Sequence, residues 1–187
     1  MTTVSIIRHT RVAEAAGRCY GQYEMPLADT FEEEMVHYES LLSVPSLVYS
    51  SPLSRCLRLA EALPFHAEIV QEPALMEVNF GEWEGKLWDV IPQAELNPWM
   101  ADFVEVAPPQ GESLREMYGR VAAFLDRLRK VEKEVLLVTH AGVIRCVWAY
   151  VLQVPLHNVF KIPVSFGEVM RVKLGREPSL DAVLQKG

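Results

Sequence analysis

Apolar residues form two patterns along the chain. One consists of short runs that are typical of strands, and the other of longer segments with a helical period. The short runs predict five strands, over residues 3–7, 47–50, 67–70, 134–139 and 168–174. Segments with apolar residues three or four positions apart predict helices, over residues 31–42, 52–63, 112–130 and 143–152. This alternation of strands and helices is typical of an α/β protein.

Several predicted helices are preceded by residues suited to a helix N-terminus. Ser51 followed by Pro52 predicts an N-cap with proline at the first helical position. The pair Asp29-Thr30 is placed to cap the helix over 31–42. Ser113 and Glu116 have the spacing of a capping box at the start of the most regular helix.

The segment over residues 86–110 departs from the alternation. It is rich in prolines and large aromatic residues, namely Pro92, Pro98, Pro108, Pro109, Trp88, Trp99 and Phe103. We expect a helical excursion bounded by prolines within a single domain over residues 1–187. Either a lid over a site or a packed connection would account for this composition.

Composition and charge narrow the class of protein. Half of the 187 residues are apolar and 23% are charged, which fits a globular chain and excludes disorder. The net charge of −7 argues against nonspecific binding to nucleic acid or to a membrane surface. The longest apolar run, Cys146 to Leu152, is far shorter than the roughly 20 residues of a membrane span. Three scattered cysteines without a CxxC pair indicate neither a disulfide framework nor a zinc knuckle, and predict a cytoplasmic protein. The oligomeric state is left open, a homodimer included.

Charged and nucleophilic side chains follow three of the predicted strands. Arg8 and His9 end the first strand, Arg55 lies in the first turn of the helix after the second, and His140 ends the clearest strand. Ligands of open α/β sheets bind outside the carboxyl ends of the strands, and arginines and helix N-termini both suit phosphate. The sequence therefore predicts an anion site built from these four residues. Two histidines without a third ligand nearby do not predict a metal site.

The same residues stand in four motifs that resemble the histidine phosphatase superfamily, which includes the phosphoglycerate mutases. These motifs are Ile7-Arg8-His9, Ser50 to Arg55, Leu75 to Gly85 and Val138 to Gly142. The resemblance implies a three-layer αβα sandwich with a mostly parallel central sheet. The early loop, with Arg8 to Arg11, Gly17 to Gln22 and Pro26 to Ala28, looks most like the α-ribazole phosphatases of cobalamin nucleotide-loop synthesis.

The resemblance also implies roles for individual residues. His9 would be the nucleophile that becomes a phosphohistidine, and Glu77 would be the general acid. Arg8, Arg55 and His140 would surround the transferring phosphoryl group, so that neither a metal nor another cofactor is needed. Further contacts with a small phosphorylated substrate are expected from Thr10, Gln22 and Ala141.

Two positions depart from the pattern of the superfamily. Thr10 stands where most members have glycine, and Ala15 stands where an asparagine is frequent. We expect hydrolysis of α-ribazole 5′-phosphate. The alternatives are a broad-specificity phosphatase for sugar phosphates or phosphoglycerates, a phosphopeptide phosphatase, and a phospholigand-binding module without turnover. Only a catalyst requires a proton donor such as Glu77, which argues against the binding module.

Overall fold

Two of the predicted strands form the middle of a six-stranded sheet. A computed structural model describes residues 1–186, and its strand order is β3-β2-β4-β1-β5-β6. The strands are β1 (Thr2–Arg8), β2 (Leu47–Ser50), β3 (Ile69–Gln71), β4 (Glu134–Thr139), β5 (Val169–Leu174) and β6 (Ala182–Lys186). β1 to β4 pair in parallel, whereas β5 and β6 run antiparallel to their neighbours. β1 and β4 are central and almost entirely buried, which explains why apolar residues occur on both of their faces.

Helices cover both faces of the sheet. They are α1 (Phe31–Leu41), α2 (Ser54–Ala62), α3 (Gln93–Ala101), α4 (Leu114–Leu128) and α5 (Ala141–Leu152). α4 and α5 pack on the face that carries Val4 and Ile6, and α1 and α2 pack on the face that carries Ile7. Successive strand residues point to opposite faces, so β1 contributes to both cores. The predicted three-layer α/β sandwich is confirmed.

Two of the predicted helix caps need correction. α2 begins at Ser54 with Leu53 as its N-cap, so Ser51 and Pro52 precede the helix rather than begin it. Thr30 occupies the N-cap position of α1, but its hydroxyl donates to Glu34 Oε1 (2.6 Å) and makes no backbone cap. The capping box at Ser113 and Glu116 is confirmed, with both reciprocal hydrogen bonds formed.

Several aromatic and apolar residues of the proline-rich segment join a small cluster separate from the two main cores. It contains a single 3-10 turn, Trp88–Val90, followed by α3, and Pro98 lies inside that helix rather than at its boundary. The rings of Trp88 and Trp99 stack 6.0 Å apart. Trp83, Ile91 and Leu96 are buried beside them. These contacts place aromatic rings beyond the carboxyl ends of the strands.

β6 was not predicted, because its alternating sequence is short and follows a turn at Pro178–Leu180. Arg129 of the α4 C-terminus anchors this part of the chain through two hydrogen bonds to the buried carboxylate of Asp181 (2.5 and 2.9 Å). No helix within residues 1–186 has the length and apolar character needed to cross a membrane.

Candidate active site

The parallel register of β1 and β4 brings two of the predicted site residues together. Arg8 lies opposite Thr139 at the ends of the strands, and the next residue of each strand is a histidine. The His9 amide donates to the Thr139 carbonyl (2.8 Å). The two imidazole rings, of His9 and His140, are 5.1 Å apart between centroids. The register of the two strands therefore brings the pair of histidines together at the sheet edge.

His9 is held as a neutral imidazole with one free nitrogen. Its Nδ1 lies 2.7 Å from the Thr10 carbonyl, which only accepts, so Nδ1 carries the proton. Burial of the ring and the charges of Arg55 and Arg8 lower the pKa of His9 to about 3, against the opposing effect of the Thr10 hydrogen bond. The Nε2 lone pair is therefore available at neutral pH, which is the state that a nucleophile requires.

Arg8 and Arg55 place two positive charges beside His9. The Arg8 Nη1 donates to the Val164 carbonyl (3.1 Å), and Arg55 donates to the carbonyls of Gly21 (2.5 Å) and Tyr23 (3.0 Å). Within residues 1–186 neither guanidinium forms an ion pair, and the Nε of each is buried without a hydrogen bond. Arg55 is fully buried and Arg8 is partly buried, and a guanidinium without a counter-ion is costly to bury unless an anion binds it. This pair is suited to a phosphoryl dianion.

His140 is the N-cap of α5 and is completely buried. Its Nε2 lies 2.8 Å from the Ser51 hydroxyl and 3.3 Å from the Cys56 sulfur. Burial, followed by the charges of His9 and Arg55, holds the pKa of His140 well below its usual value. The side chain of Ser51, predicted as a helix cap, is thus used to hold a histidine of the site.

Glu77 reaches the site from the loop after a 3-10 turn at Pro73–Leu75. Its carboxylate accepts the amide of Val78 at Oε1 (3.0 Å) and the amide of Gly142 at Oε2 (3.1 Å). A Cβ at Gly142 would lie 2.2 Å from Glu77 Oε1, so only glycine admits the carboxylate at this distance. The start of α5 therefore places Glu77 as well as His140.

The other three residues predicted to contact the substrate lie close to the catalytic candidates. The Gln22 amide nitrogen donates to the Glu77 carbonyl (3.0 Å) and so holds the loop of the acid. Thr10 supplies the carbonyl for His9, and its buried hydroxyl has no hydrogen bond within residues 1–186. Ala141 is the buried first residue of α5. Direct substrate contact by these three residues stays a prediction.

A cavity of about 330 Å³ extends from His9, Arg8 and Glu77. Six aromatic side chains contribute to its wall: Tyr20, Phe80, Trp88, Trp99, Phe103 and Phe160. The wall also holds Arg145, whose Nε donates to the Ile162 carbonyl (3.2 Å) and whose guanidinium lies 5.3 Å over the Phe160 ring. Sequence reasoning missed Arg145. Its signal was a single charge inside the otherwise apolar helix that follows His140.

The residues at the cavity suit phosphate rather than a metal ion. Residues 1–186 contain no group of three or more histidine, cysteine, aspartate or glutamate side chains placed to hold a metal. All three cysteines are buried free thiols. A neutral histidine, two unpaired arginines and a carboxylate next to a cavity can bind a phosphoryl group and transfer protons around it.

Comparison with known proteins finds several phosphatases that are similar to this chain. Phosphoserine phosphatase 1 of Hydrogenobacter thermophilus is 28% identical over 182 residues, which cover 89% of this chain and 82% of that protein. The metal-independent phosphoserine phosphatase of Arabidopsis thaliana is 30% identical over 168 residues, covering 82% of this chain and 70% of that protein. The α-ribazole phosphatase of Shigella flexneri shares the fold, with a TM-score of 0.85 and 24% identity over 91% of this chain and 90% of that one. The model of the histidine phosphatase superfamily (branch 1) matches residues 4–180. The chain therefore belongs to the histidine phosphatase superfamily.

Proposed function

We propose that this protein hydrolyses small phosphomonoesters through a phosphohistidine at His9, without a metal ion. The observation that carries the proposal is the state of His9. Its Nδ1 proton is committed to the Thr10 carbonyl, its Nε2 is unprotonated, and two unpaired guanidinium groups lie beside it. A neutral nucleophile next to fixed positive charge is what attack on a phosphate dianion requires.

In the first step, Nε2 of His9 attacks phosphorus and the bond from phosphorus to the alcohol oxygen breaks. Arg8 and Arg55 balance the charge on the non-bridging oxygens, and His140 lies beside them as a neutral hydrogen-bonding group. Glu77, protonated at this stage, gives its proton to the departing oxygen, so that the alcohol leaves neutral. General acid catalysis of this kind is worth about 10²- to 10⁴-fold for a poor leaving group.

In the second step, water attacks the phosphohistidine. The Glu77 carboxylate takes one proton from the water, the bond from nitrogen to phosphorus breaks, and inorganic phosphate leaves. The contacts with the amides of Val78 and Gly142 keep the carboxyl group in place for both steps. His9 returns to its neutral state, which closes the cycle.

For the substrate we propose α-ribazole 5′-phosphate. The aromatic wall of the cavity supports an alcohol that carries a flat apolar group, since six rings surround the space next to His9. Trp88, Trp99 and Phe80 make edge or stacked contacts with each other, so the wall is preorganised rather than assembled around a ligand. A benzimidazole ring on a ribose phosphate has this shape.

The test is a comparison of kcat/KM for α-ribazole 5′-phosphate, phosphoserine, sugar phosphates and phosphoglycerates, with EDTA present. A preference of about a hundredfold for α-ribazole 5′-phosphate, worth about 3 kcal/mol in transition-state binding, is the expected result. A flat profile would retain the chemistry and refute the substrate. Loss of turnover on adding EDTA would refute metal independence, and phosphate binding without turnover on any ester would indicate a binding module.

The nucleophile is tested by trapping. The wild-type chain quenched during turnover of a radiolabelled substrate should hold an acid-labile phosphoryl group, and His9→Ala should hold none and turn over nothing. His66→Ala is the matched control, because His66 is exposed and lies outside all four motifs. Retained turnover in His9→Ala would remove His9 as the nucleophile.

A further inference from the structure

The loop over residues 163–168, which leads into β5, packs against the arginine of the first motif. The Arg8 guanidinium carbon lies 3.7 Å above the centroid of the Phe166 ring. The same ring meets His9 edge-on, with centroids 5.8 Å apart. The Val164 carbonyl accepts from Arg8 Nη1 (3.1 Å). One short loop thus supplies both the polar and the aromatic contacts of Arg8.

We infer that Phe166 is a positioning residue for phosphate, which acts by fixing the plane of the Arg8 guanidinium. This inference rests on the proposed function, in which Arg8 binds the phosphoryl group. A single hydrogen bond at Nη1 leaves the guanidinium plane free to rotate about that contact. Stacking on the ring removes this freedom, so that the buried and unpartnered Nε keeps one direction.

Phe166 stacks on a guanidinium that has no carboxylate partner among residues 1–186. Arg11 also lies over the ring, at 5.1 Å, but Arg11 is paired with Glu34 (3.3 Å). A carboxylate partner for Arg8 would compete with a phosphate dianion for the same charge. An aromatic ring holds the guanidinium through its quadrupole and leaves the full positive charge for the ligand.

The loop itself is anchored by α1, on the far side from the cavity. The Gly167 amide donates to the Tyr38 hydroxyl (2.9 Å), and the His37 Nε2 donates to the Gly167 carbonyl (3.0 Å). Gly167 has φ of +80°, and a Cβ there would lie 3.2 Å from His37 Nε2. Because the backbone on the C-terminal side of Phe166 is fixed, the ring can define the position of Arg8 rather than follow it.

The experiment measures the affinity for inorganic phosphate by calorimetry, alongside kcat and KM, in Phe166→Leu and Phe166→Tyr. We expect Phe166→Leu to weaken phosphate binding by about 2- to 30-fold, which is the range of a cation–π contact from exposed to desolvated. Phe166→Tyr keeps the π face and should stay within about twofold of the wild type. Phe65→Leu is the matched control, because Phe65 is half-buried against the core of the α1 and α2 face.

A double-mutant cycle with Arg8→Gln decides whether Phe166 acts through Arg8. In the Arg8→Gln background, Phe166→Leu should change phosphate affinity by less than about twofold, since the contact is already lost. An undiminished loss in that background would overturn the inference and assign the effect to another group, such as His9. Unchanged phosphate affinity in Phe166→Leu would also overturn it.

Two further readouts test the stacking directly and separate this inference from the proposed hydrolysis. In wild-type protein the side-chain protons of Arg8 should be shifted upfield in the NMR spectrum by the ring current of Phe166, and Phe166→Leu should abolish that shift. An Arg8 signal without such a shift would show that the stacking is absent. Phosphate binding without turnover in the wild type would refute the proposed hydrolysis, while the affinities of the variants would still decide the role of Phe166.

Discussion

Replacing Gly142 by alanine displaces the carboxyl group of the proposed acid, Glu77, while leaving the Glu77 residue itself unchanged. The added Cβ would lie 2.2 Å from Glu77 Oε1, 3.1 Å from its Cδ and 3.0 Å from the Met117 Cε. Real Cβ contacts start near 3.0 Å, so the carboxylate has to retreat by about 0.8 Å or more. Its hydrogen bond from the Gly142 amide, 3.1 Å long, is strained or lost with that movement.

A displacement of this size should lower the catalytic rate strongly and change the stability of the fold little. Misplacing a reacting group by about 1 Å can cost about a hundredfold in rate. We therefore expect kcat/KM for alkyl phosphates to fall by about 10²-fold in Gly142→Ala. Gly142 is the second residue of α5, where alanine is intrinsically favoured over glycine by up to about 1 kcal/mol, so the melting temperature should change little.

The assay compares an alkyl phosphate with p-nitrophenyl phosphate, whose leaving group needs little protonation. The loss should be confined largely to the alkyl substrate, because only that reaction depends on the acid. Gly119→Ala is the matched control: Gly119 lies in α4, and a Cβ there meets nothing within 4 Å. Wild-type rates on alkyl phosphates in Gly142→Ala, or equal losses on both substrates, would refute the role of Gly142 in placing Glu77.

Three further predictions concern the acid, the pH dependence of stability and the C-terminal anchor. Glu77→Gln should lower kcat/KM for alkyl phosphates by about 10²- to 10⁴-fold and for p-nitrophenyl phosphate far less; equal losses would mean that Glu77 is not the acid. Burial, with the charge of Arg55, lowers the pKa of His9 to about 3 from 6.5, so the unfolded chain binds this proton first as pH falls. The free energy of unfolding should therefore be fully retained above pH 6.5 and should decline as the pH falls toward 3. In chemical denaturation, His9→Asn should reduce the slope of this decline by about 1.4 kcal/mol per pH unit. An unchanged slope would contradict a buried neutral His9. The Arg129 side chain is 7% exposed, and Asp181→Ala removes the carboxylate that pairs with it. This substitution should lower the free energy of unfolding by about 3–5 kcal/mol. A loss below about 1 kcal/mol would show that the pair is not buried in solution.

The sequence alone predicted the anion-site residues because these residues follow the strands. Arg8, His9 and His140 come directly after apolar runs that form strands in any α/β arrangement, and parallel strands end at one edge. The capping box of α4 was equally local, since both of its hydrogen bonds join residues three positions apart. Identification of Glu77 needed the resemblance, because nothing in its local sequence distinguishes it from Glu82 or Glu84.

Only the tertiary structure decided the contacts between distant parts of the chain. Ser51 matches a helix cap by sequence, yet its hydroxyl meets His140, 89 residues further on. Arg145 and Phe166 gave no motif, and their contacts with the cavity wall and with Arg8 arise from how α5 and β5 pack around the sheet edge. Local propensities depend on a few neighbouring residues, whereas these contacts depend on the packing of the whole sheet and both helix layers. The sequence thus determined which groups are proposed to do the chemistry, and the packing determined which groups hold them in place.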